Sequence, residues 1–519
     1  MDLTRRDLLR FAGAGAGALL AGPLAACGSS DQSPAVNTAG AGGAPVRGGT
    51  VRLAFAGGGA TETLNPFDAY SPAELARGLV VFDRLFTVSG GAAVPALATA
   101  AEPAPDGRSF TLTLRSGVTW HDGSPLTARD VLYSLRYLAS PDRKYPSELL
   151  SYLDVAAAAA TGDLALRVPT TRPVGDPGTL LAAASLPVVK DGATSFTPQH
   201  AVGTGPFRVA AFAAGREGRL TRFDQHWGGG PNADELVVVS VDDPQARVNA
   251  VRAGQVDYAA DIPYALAKAG AGGAGIEVRD AGQRQRTGYG FVLNTTRPLM
   301  ADPRVRRALR LVVDRQALVD TVFLGRGAPA NDLYGHGAKY FAADIAAPGR
   351  DVERARALLT EAGATGARLV VRSADYEVGY NASTELFVEQ LKQVGLDARA
   401  QIVSPAEYFD PQAITTVDAL VFSLGPFPLS VIFNRSAAYP SLAFDDPRLR
   451  QALATAAATI DEGERGRAWR TAQEVMADRG NWIVWGLGDV LSLARSTVAG
   501  IEVRESADYP YLGKVGFTA

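Results

Sequence analysis

The stretch that decides the fold is VTWHDGSPLTARDV, residues 118–131. Asp122 and Gly123 are typical of a turn, and the pattern of residues 125–137, PLTARDVLYSLRY, predicts a helix. His121 and Asp122 could also supply half of a Ser-His-Asp catalytic triad, but loops rich in Asp and Gly produce such pairs for turn reasons. We therefore expect a turn followed by a helix here, with His121 in a structural role.

The sequence around this stretch mixes strands and helices. Alternating or apolar runs predict strands at residues 50–55, 110–114, 164–168 and 236–239. Beyond about residue 288 helices dominate, and a strand, helix, strand order within residues 368–403 predicts a parallel βαβ unit. An Ala-rich helical pair near residues 447–478 then precedes strand-like runs that return the chain towards its first part.

The helix that begins near residue 303 carries a basic run. Asp302 can cap this helix and Pro303 suits its first turn, while apolar residues from Val305 onward keep one face until Gly325. We expect four basic side chains on the opposite, solvent-facing side, namely Arg304, Arg306, Arg307 and Arg310.

Length and composition exclude several classes of protein. A chain of 519 residues favours two or three lobes, and 47% hydrophobic residues with 20% charged residues describe a chain that folds. The net charge of −3 indicates neither nucleic acid nor an anionic membrane as a partner. With four histidines and one cysteine, none at ligand spacing, we expect no zinc, haem or iron–sulfur site and no cofactor, and only a metal site built from carboxylates stays open.

The first residues carry an export signal. Three arginines, Arg5, Arg6 and Arg10, precede a short Gly/Ala/Leu run, as in a charged region followed by an apolar region. The order Thr-Arg-Arg-x-Leu-Leu resembles a bacterial twin-arginine signal. The sequence Leu-Ala-Ala-Cys that ends at Cys27 resembles the lipobox of bacterial lipoproteins, in which the cysteine thiol receives a diacylglycerol.

We therefore expect residues 1–26 to be a cleaved signal peptide and Cys27 to carry the lipid. Residues 27–46 would be the lipidated cysteine and a flexible linker, because they lack the apolar side chains that a core needs. This places the protein outside the cytoplasm, anchored to the bacterial cell membrane by lipid, on the periplasmic or cell-surface side. No later stretch is long and apolar enough to span the membrane.

Residues 118–131 resemble, nearly position by position, a signature of the extracytoplasmic solute-binding proteins of peptide/nickel-type ABC importers (family 5). Supporting motifs occur in the order of that family, such as Leu64-Asn65-Pro66, Gly203-Thr204-Gly205-Pro206-Phe207 and Asp302-Pro303-Arg304-Val305-Arg306. The resemblance spans about residues 48–503. It implies an α/β, two-lobe clamshell fold with an extra β-rich subdomain in the first lobe, and a ligand enclosed between the lobes.

The resemblance also implies a domain division. Lobe I would comprise residues 47–82, 200–288 and 486–519, the inserted subdomain residues 83–199, and lobe II residues 289–485. Closure needs a ligand that contacts both lobes, and the closed form would engage the membrane permease. We expect a monomer that transports its ligand without chemical change.

Ligand contacts are carried over from the family position by position. Tyr70, Ser71 and Tyr145 match first-lobe positions that touch the ligand in peptide-binding relatives, and Arg372 and Tyr376 resemble a second-lobe contact region. Residues 422–430, FSLGPFPLS, depart from the Gly-Trp-x-x-Asp-x-x-Asp-Pro pattern of peptide binders. The candidate ligand-binding residues are Tyr70, Ser71, Tyr145, Arg372, Tyr376, Phe422, Ser423, Gly425, Pro426, Phe427 and Trp485.

The departure at residues 422–430 affects which ligands the protein is expected to bind. Pro426 stands where the family has the aspartate that pairs with a peptide's α-ammonium, and Ser423 replaces the tryptophan. Burying an ammonium without a counter-charge costs several kcal/mol, so a peptide with a free α-amine is disfavoured unless another acid reaches it. A modified peptide, a glycoside or another apolar metabolite stays open, with aromatic walls from Phe422, Phe427, Tyr376 and Trp485 that could equally belong to the core.

Two other functions stay open. A surface-anchored hydrolase on the same scaffold would turn over its substrate, and a receptor or chaperone would keep the fold without import. Nickel transport would want histidines in the cleft, for which only His200 and His336 are available.

Overall fold

The computed structural model describes residues 43–519, except residues 90, 142, 144–146, 185, 271, 375–376, 409, 437–440, 505 and 507–508. The predicted signal peptide, Cys27 and the linker up to residue 42 lie outside the described residues. Within the described part, no helix is both long and apolar enough to cross a membrane.

The first lobe is built on a seven-stranded mixed sheet. Its central strand, Thr50–Phe55, pairs in parallel with Glu235–Ser240 on one side and with Tyr258–Ala259 on the other. The outer pairs are antiparallel. In spatial order the strands are Ile276–Asp280, Leu491–Arg495, Tyr258–Ala259, Thr50–Phe55, Glu235–Ser240, Glu217–Arg222 and Phe207–Ala213.

An additional β-rich part is inserted between the first and second segments of this lobe. It holds a four-stranded antiparallel sheet and a two-stranded hairpin, and these account for the β-rich subdomain that the sequence predicts. The four strands, in spatial order, are Ala98–Pro103, Ser109–Leu114, Ala165–Pro169 and Ala159–Gly162, and the hairpin pairs Phe86–Ser89 with Ala92–Pro95.

Residues 118–131 belong to the inserted part and lie where it contacts the first lobe. Gly123 takes the left-handed conformation that the turn requires, with φ of 85°, and Trp120 is fully buried. The Asp130 carboxylate accepts hydrogen bonds from the Thr127 backbone N–H and hydroxyl at the start of the helix Ala128–Tyr137. The predicted turn and helix are confirmed.

The second lobe has a six-stranded mixed sheet. The parallel strands Arg368–Ala374 and Asp397–Val403 are joined by the helix Tyr380–Gln393, which confirms the predicted βαβ unit. The helix begins directly after Gly379, which takes the left-handed conformation. In spatial order the strands are Gly327–Pro329, Trp482–Gly488, Thr287–Leu293, Ala419–Leu424, Arg368–Ala374 and Asp397–Val403.

The chain crosses between the two large sheets at two places. One crossing follows the strand Ile276–Asp280, and the other follows the strand Trp482–Gly488. Arg286 on the first crossing forms an ion pair with Asp489 on the second, with 2.7 Å between Nε and Oδ1. The two lobes are therefore joined by crossing segments, as the family resemblance implies.

The remaining described elements are an antiparallel pair of short strands, Val498–Ala499 with Gly516–Phe517, together with α-helices and three short 3-10 helices. The α-helices are Pro72–Val81, Ala128–Tyr137, Pro177–Ala183, Pro244–Arg252, Tyr264–Lys268, Pro298–Ala301, Pro303–Val312, Arg315–Val322, Val352–Glu361, Tyr380–Gln393, Pro405–Tyr408, Pro411–Ile414, Leu429–Ser436, Pro447–Ala458 and Glu462–Arg479. The 3-10 helices are Gly59–Thr61, Glu148–Ser151 and Gln283–Gln285.

The expectation that the basic run faces solvent is wrong for two of its members. Arg306 and Arg310 are 5% and 2% exposed, and their guanidinium groups donate to backbone carbonyls at the end of the helix Glu462–Arg479. The last carbonyls of a helix have no partner within it, so they are suitable acceptors for a buried guanidinium. Arg304 and Arg307 are exposed as expected.

Candidate functional site

A cavity of about 550 Å³ lies between the two lobes and is the candidate ligand site. Its volume falls in the range of about 300–1,000 Å³ that is common for small-molecule sites. One wall comes from the first lobe with its inserted part, and the other from the second lobe.

The first-lobe wall combines aromatic and basic side chains. Phe67, Tyr70, Arg84 and Arg143 are part of this wall. Ser71, which follows Tyr70, does not reach the cavity because it is buried as the N-cap of the helix Pro72–Val81. The sequence places Tyr70 next to a helix start, which leaves its ring 49% exposed.

Arg143 is a basic residue of this wall whose guanidinium is only partly paired among the described residues. Its Nη2 donates to the Phe67 carbonyl at 2.8 Å, and its guanidinium lies 5.6 Å from the Phe67 ring centroid. The Nε and Nη1 atoms are buried and have no acceptor among the described residues. Burial lowers the pKa of Arg143, partly offset by the nearby charge of Asp68. No described carboxylate lies within 4 Å of this guanidinium to form an ion pair.

The second-lobe wall contains a carboxylate held by hydroxyl groups. Glu377 accepts a hydrogen bond from the Tyr289 hydroxyl at 3.1 Å and another from the Ser423 hydroxyl. Ser423 Oγ also lies 2.9 Å from the Tyr380 hydroxyl oxygen. Burial, and after it the charge of Glu377, raises the pKa of Tyr289 well above its usual range, so this phenol stays protonated at neutral pH.

The basic residue of the second-lobe wall, Arg435, stacks on an aromatic ring. Its guanidinium lies 4.1 Å from the centroid of the Phe427 ring, and both residues line the cavity. Arg435 also faces Glu148 of the inserted part closely enough to lower the pKa of that carboxyl, which burial raises.

The charges of the described lining residues are unequal. Three arginines, Arg84, Arg143 and Arg435, stand against one carboxylate, Glu377, which gives a net charge of +2. A low-dielectric cavity with this excess favours a ligand that carries negative charge.

The lobes also touch directly at a second place, which we call the glycine contact. Here Lys339 N donates to Gly91 O at 3.1 Å, and Gly175 N donates to Ala457 O at 2.7 Å. A Cβ atom on Gly175 would lie 2.1 Å from the Thr459 carbonyl oxygen. Only a residue without a side chain lets the backbones approach this closely.

The predicted ligand-binding residues fall into three groups. Five line the cavity: Tyr70, Phe422, Ser423, Gly425 and Phe427. Tyr145 and Tyr376 lie outside the described residues. The other four lie elsewhere in the fold: Ser71, Arg372, Pro426 and Trp485.

These placements have physical reasons. Arg372 is 2% exposed, and its guanidinium donates to the Gln401 side chain and to the Glu407 carbonyl. Pro426 is buried beside Gly337. Trp485 is fully buried and stacks on Phe323 with ring centroids 4.8 Å apart, so it belongs to the core.

Sequence reasoning missed the charged part of the cavity. Arg84, Arg143, Glu377 and Arg435 come from four separate segments, and none belongs to a motif with a recognisable spacing. The available signal was the proximity of two of them to predicted ligand-binding residues. Arg143 precedes Tyr145 by two residues, and Glu377 follows Tyr376 directly.

The prediction that a peptide with a free α-amine is disfavoured depends on whether another acid reaches the ligand. That prediction holds unless another acid reaches the ligand, and Glu377 lines the cavity. The prediction itself stays untested.

His121 has no catalytic arrangement. Its Nδ1 accepts a hydrogen bond from Gly203 N at 3.1 Å, and its Nε2 donates to Gly205 O at 2.9 Å, so backbone groups occupy both ring nitrogens. Burial lowers the pKa of His121 to about 4. The Asp122 carboxylate interacts with Ser124 and Lys190 and forms no hydrogen bond with the imidazole.

Two hinged lobes that enclose a cavity define a binding protein that closes over its ligand. The chain belongs to the bacterial extracellular solute-binding proteins of family 5, whose model for the middle region matches residues 92–431. It is 24% identical over 473 residues to the glutathione-binding protein GsiB of Salmonella paratyphi A, covering 86% of this chain and 91% of that protein.

Solved structures show the same fold. The periplasmic binding protein DppA from Helicobacter pylori, in complex with the peptide STSA, superposes with a TM-score of 0.77 at 18% identity, covering 91% of this chain and 99% of that one. The binding protein AgaA from A. tumefaciens, in complex with agropinic acid, gives a TM-score of 0.75 at 22% identity, covering 91% and 99%. The protein is therefore an extracytoplasmic substrate-binding component of an ABC importer.

Proposed function

We propose that the protein is a lipid-anchored, monomeric binding subunit that captures a small ligand bearing an anionic group and delivers it unchanged to a membrane permease. The lipid would be attached at Cys27, after export by a twin-arginine-like signal. The ligand class is a modified peptide or a comparable small organic acid.

The observation that carries this ligand class is the state of Arg143. Two buried guanidinium nitrogens of Arg143 have no acceptor among the described residues, which is costly, and an anion that enters the cavity would stabilise them. The net positive lining supports the same conclusion. A neutral glycoside would leave this charge uncompensated, so it is the less favoured ligand.

The relatives are consistent with an acidic ligand. Glutathione, a peptide such as STSA, and agropinic acid, the ligands named for the similar proteins, all carry carboxyl groups. The departure at Pro426 speaks against an ordinary peptide whose α-amine is bound at that position. A peptide-like acid with a different placement of its amine satisfies both observations.

The ligand is tested on the full-length protein, purified from membranes without denaturation. Native mass spectrometry should show a co-purified acid, and titration calorimetry with glutathione and with its diamide should show binding of the acid alone. The change Arg143→Gln should lower affinity for the acid at least tenfold, because it removes one of the three positive charges that line the cavity. The matched control is Arg129→Gln, at an exposed position on the helix Ala128–Tyr137.

Equal affinity for the acid and its amide would overturn the anionic-ligand proposal. Accumulation of a reaction product in the same incubation would support a hydrolase instead. Membrane attachment is tested separately: Cys27→Ala should release the protein in soluble form and abolish incorporation of labelled palmitate. Membrane retention of that variant would overturn the lipid anchor.

A further inference from the structure

Glu377 is the one carboxylate among the described residues that line the interlobar cavity. It lies in the connection between the strand Arg368–Ala374 and the helix Tyr380–Gln393, on the second-lobe wall. Arg84 and Arg143 line the opposite, first-lobe wall. The carboxylate of the second-lobe wall, which also carries Arg435, therefore stands across the cavity from the two arginines of the first-lobe wall.

The direction of the Glu377 carboxylate is fixed from two sides. The Tyr289 hydroxyl donates to Oε1 and the Ser423 hydroxyl donates to Oε2. Tyr289 is 5% exposed and packs edge-on against Tyr380, so the first donor is held by the core. A carboxylate oriented in this way is a built acceptor rather than a mobile surface group.

We propose that Glu377 binds a cationic group of the ligand, an ammonium, and that the ligand is zwitterionic. This inference rests on the proposed function, in which Arg143 attracts the anionic end. A zwitterion with its two ends on opposite lobes gains free energy from both charges only when the lobes close. Its binding therefore shifts the population to the closed form.

The inference also explains the departure at residues 422–430. The acid that the family pattern leads one to expect at Pro426 is absent, and Ser423 stands at the tryptophan position. In this chain Ser423 orients an acid from another connection, Glu377. The ammonium site is thereby moved along the cavity wall and not lost.

The test compares pairs of probes that differ only in the amine. The pairs are glutathione with N-acetylglutathione, the dipeptide Met-Leu with N-acetyl-Met-Leu, and γ-aminobutyrate with butyrate. Each is titrated calorimetrically into the full-length wild type, Glu377→Gln, Glu377→Asp and the control Glu353→Gln, whose carboxylate is 83% exposed.

The wild type should bind the free-amine member of at least one pair ten times or more tightly than its partner. Glu377→Gln should remove this preference, Glu377→Asp should keep it, and Glu353→Gln should leave it unchanged. An unchanged thermal unfolding midpoint shows that a variant is folded. If Glu377→Gln fails to fold, the preference of the wild type within each pair decides.

A failure of the inference about Glu377 can be distinguished from a failure of the proposed ligand class. Equal or tighter binding of the N-acetylated members, or of butyrate, would overturn the role of Glu377 and leave the anionic ligand standing. Binding of none of the carboxylates would overturn both this inference and the proposed ligand class.

Discussion

Residues 118–131 carry the strongest family resemblance, yet none of them, all described, lines the interlobar cavity. Residues 422–430 depart from the family pattern, and five of the nine line it: Phe422, Ser423, Leu424, Gly425 and Phe427. The first stretch is fixed by buried contacts such as those of Trp120 and His121, and the second lines the candidate ligand site. The residues that identify the family in this chain therefore build the fold, and the candidate ligand site is lined by residues that do not identify the family.

The largest expected effect concerns Trp120. Trp120→Ala removes a fully buried indole and should lower the free energy of unfolding by about 3–5 kcal/mol, with ligand affinity unchanged where the variant is folded. Chemical denaturation and calorimetry measure the two quantities. The opposite result is expected for Phe427→Ala, because the Phe427 ring is half-buried and lines the cavity. Its ligand affinity should fall, with little change in the free energy of unfolding. Weaker ligand binding by the folded Trp120→Ala variant would contradict the distinction between residues 118–131, which build the fold, and residues 422–430, which line the cavity.

The free energy of unfolding should also depend on pH through His121, in residues 118–131. Burial lowers the pKa of His121 to about 4 from an ordinary 6.5, so between these values the unfolded chain binds more protons than the folded one. The stabilising contribution, about 3 kcal/mol, is therefore present above pH 6.5 and is lost as the pH falls towards 4. His121→Asn should flatten this part of the stability profile, whereas His200→Gln, at an exposed site, should not. Identical profiles for wild type and His121→Asn would refute the assignment.

A substitution at the glycine contact should change the affinity for the ligand without changing the residues that line the cavity. Gly175→Val places a side chain against the Thr459 carbonyl, so closure should cost about 1–3 kcal/mol and affinity should fall about 5-fold to 100-fold. Small-angle scattering with ligand should report a more open particle. Gly349→Val is the control, since a Cβ atom there meets no atom within 4 Å. Unchanged affinity in Gly175→Val would mean that the contact is not needed for closure.

The smallest effect is expected at Ser423. Ser423→Ala removes one hydrogen bond to Glu377 and one to Tyr380 but leaves the carboxylate charge, so affinity should fall by about 0.5–1.5 kcal/mol, a few-fold. The preference for a free amine should persist. A loss as large as that of Glu377→Gln would indicate that the serine acts by more than orienting the acid.

Part of this molecule could be predicted from the sequence. The turn and helix at residues 118–137, the βαβ unit and the two-lobe fold follow from local patterns and from the motif order, because turn chemistry and hydrophobic periodicity act between near neighbours. The same local reasoning placed Arg306 and Arg310 in solvent, because the helix carbonyls that they bind lie more than 160 residues away in sequence.

The charged cavity was decided by the tertiary structure alone. Arg143 and Glu377 come from different lobes and have no common spacing, so their opposition exists only once the two sheets are joined by the crossing segments. Trp485 shows the converse, since an aromatic residue offered as a cavity wall is enclosed by Phe323 and the core. The sequence by itself determined the family and the two-lobe fold, whose causes are local. Which side chains meet the ligand depends on contacts between distant segments, and these arise only on folding.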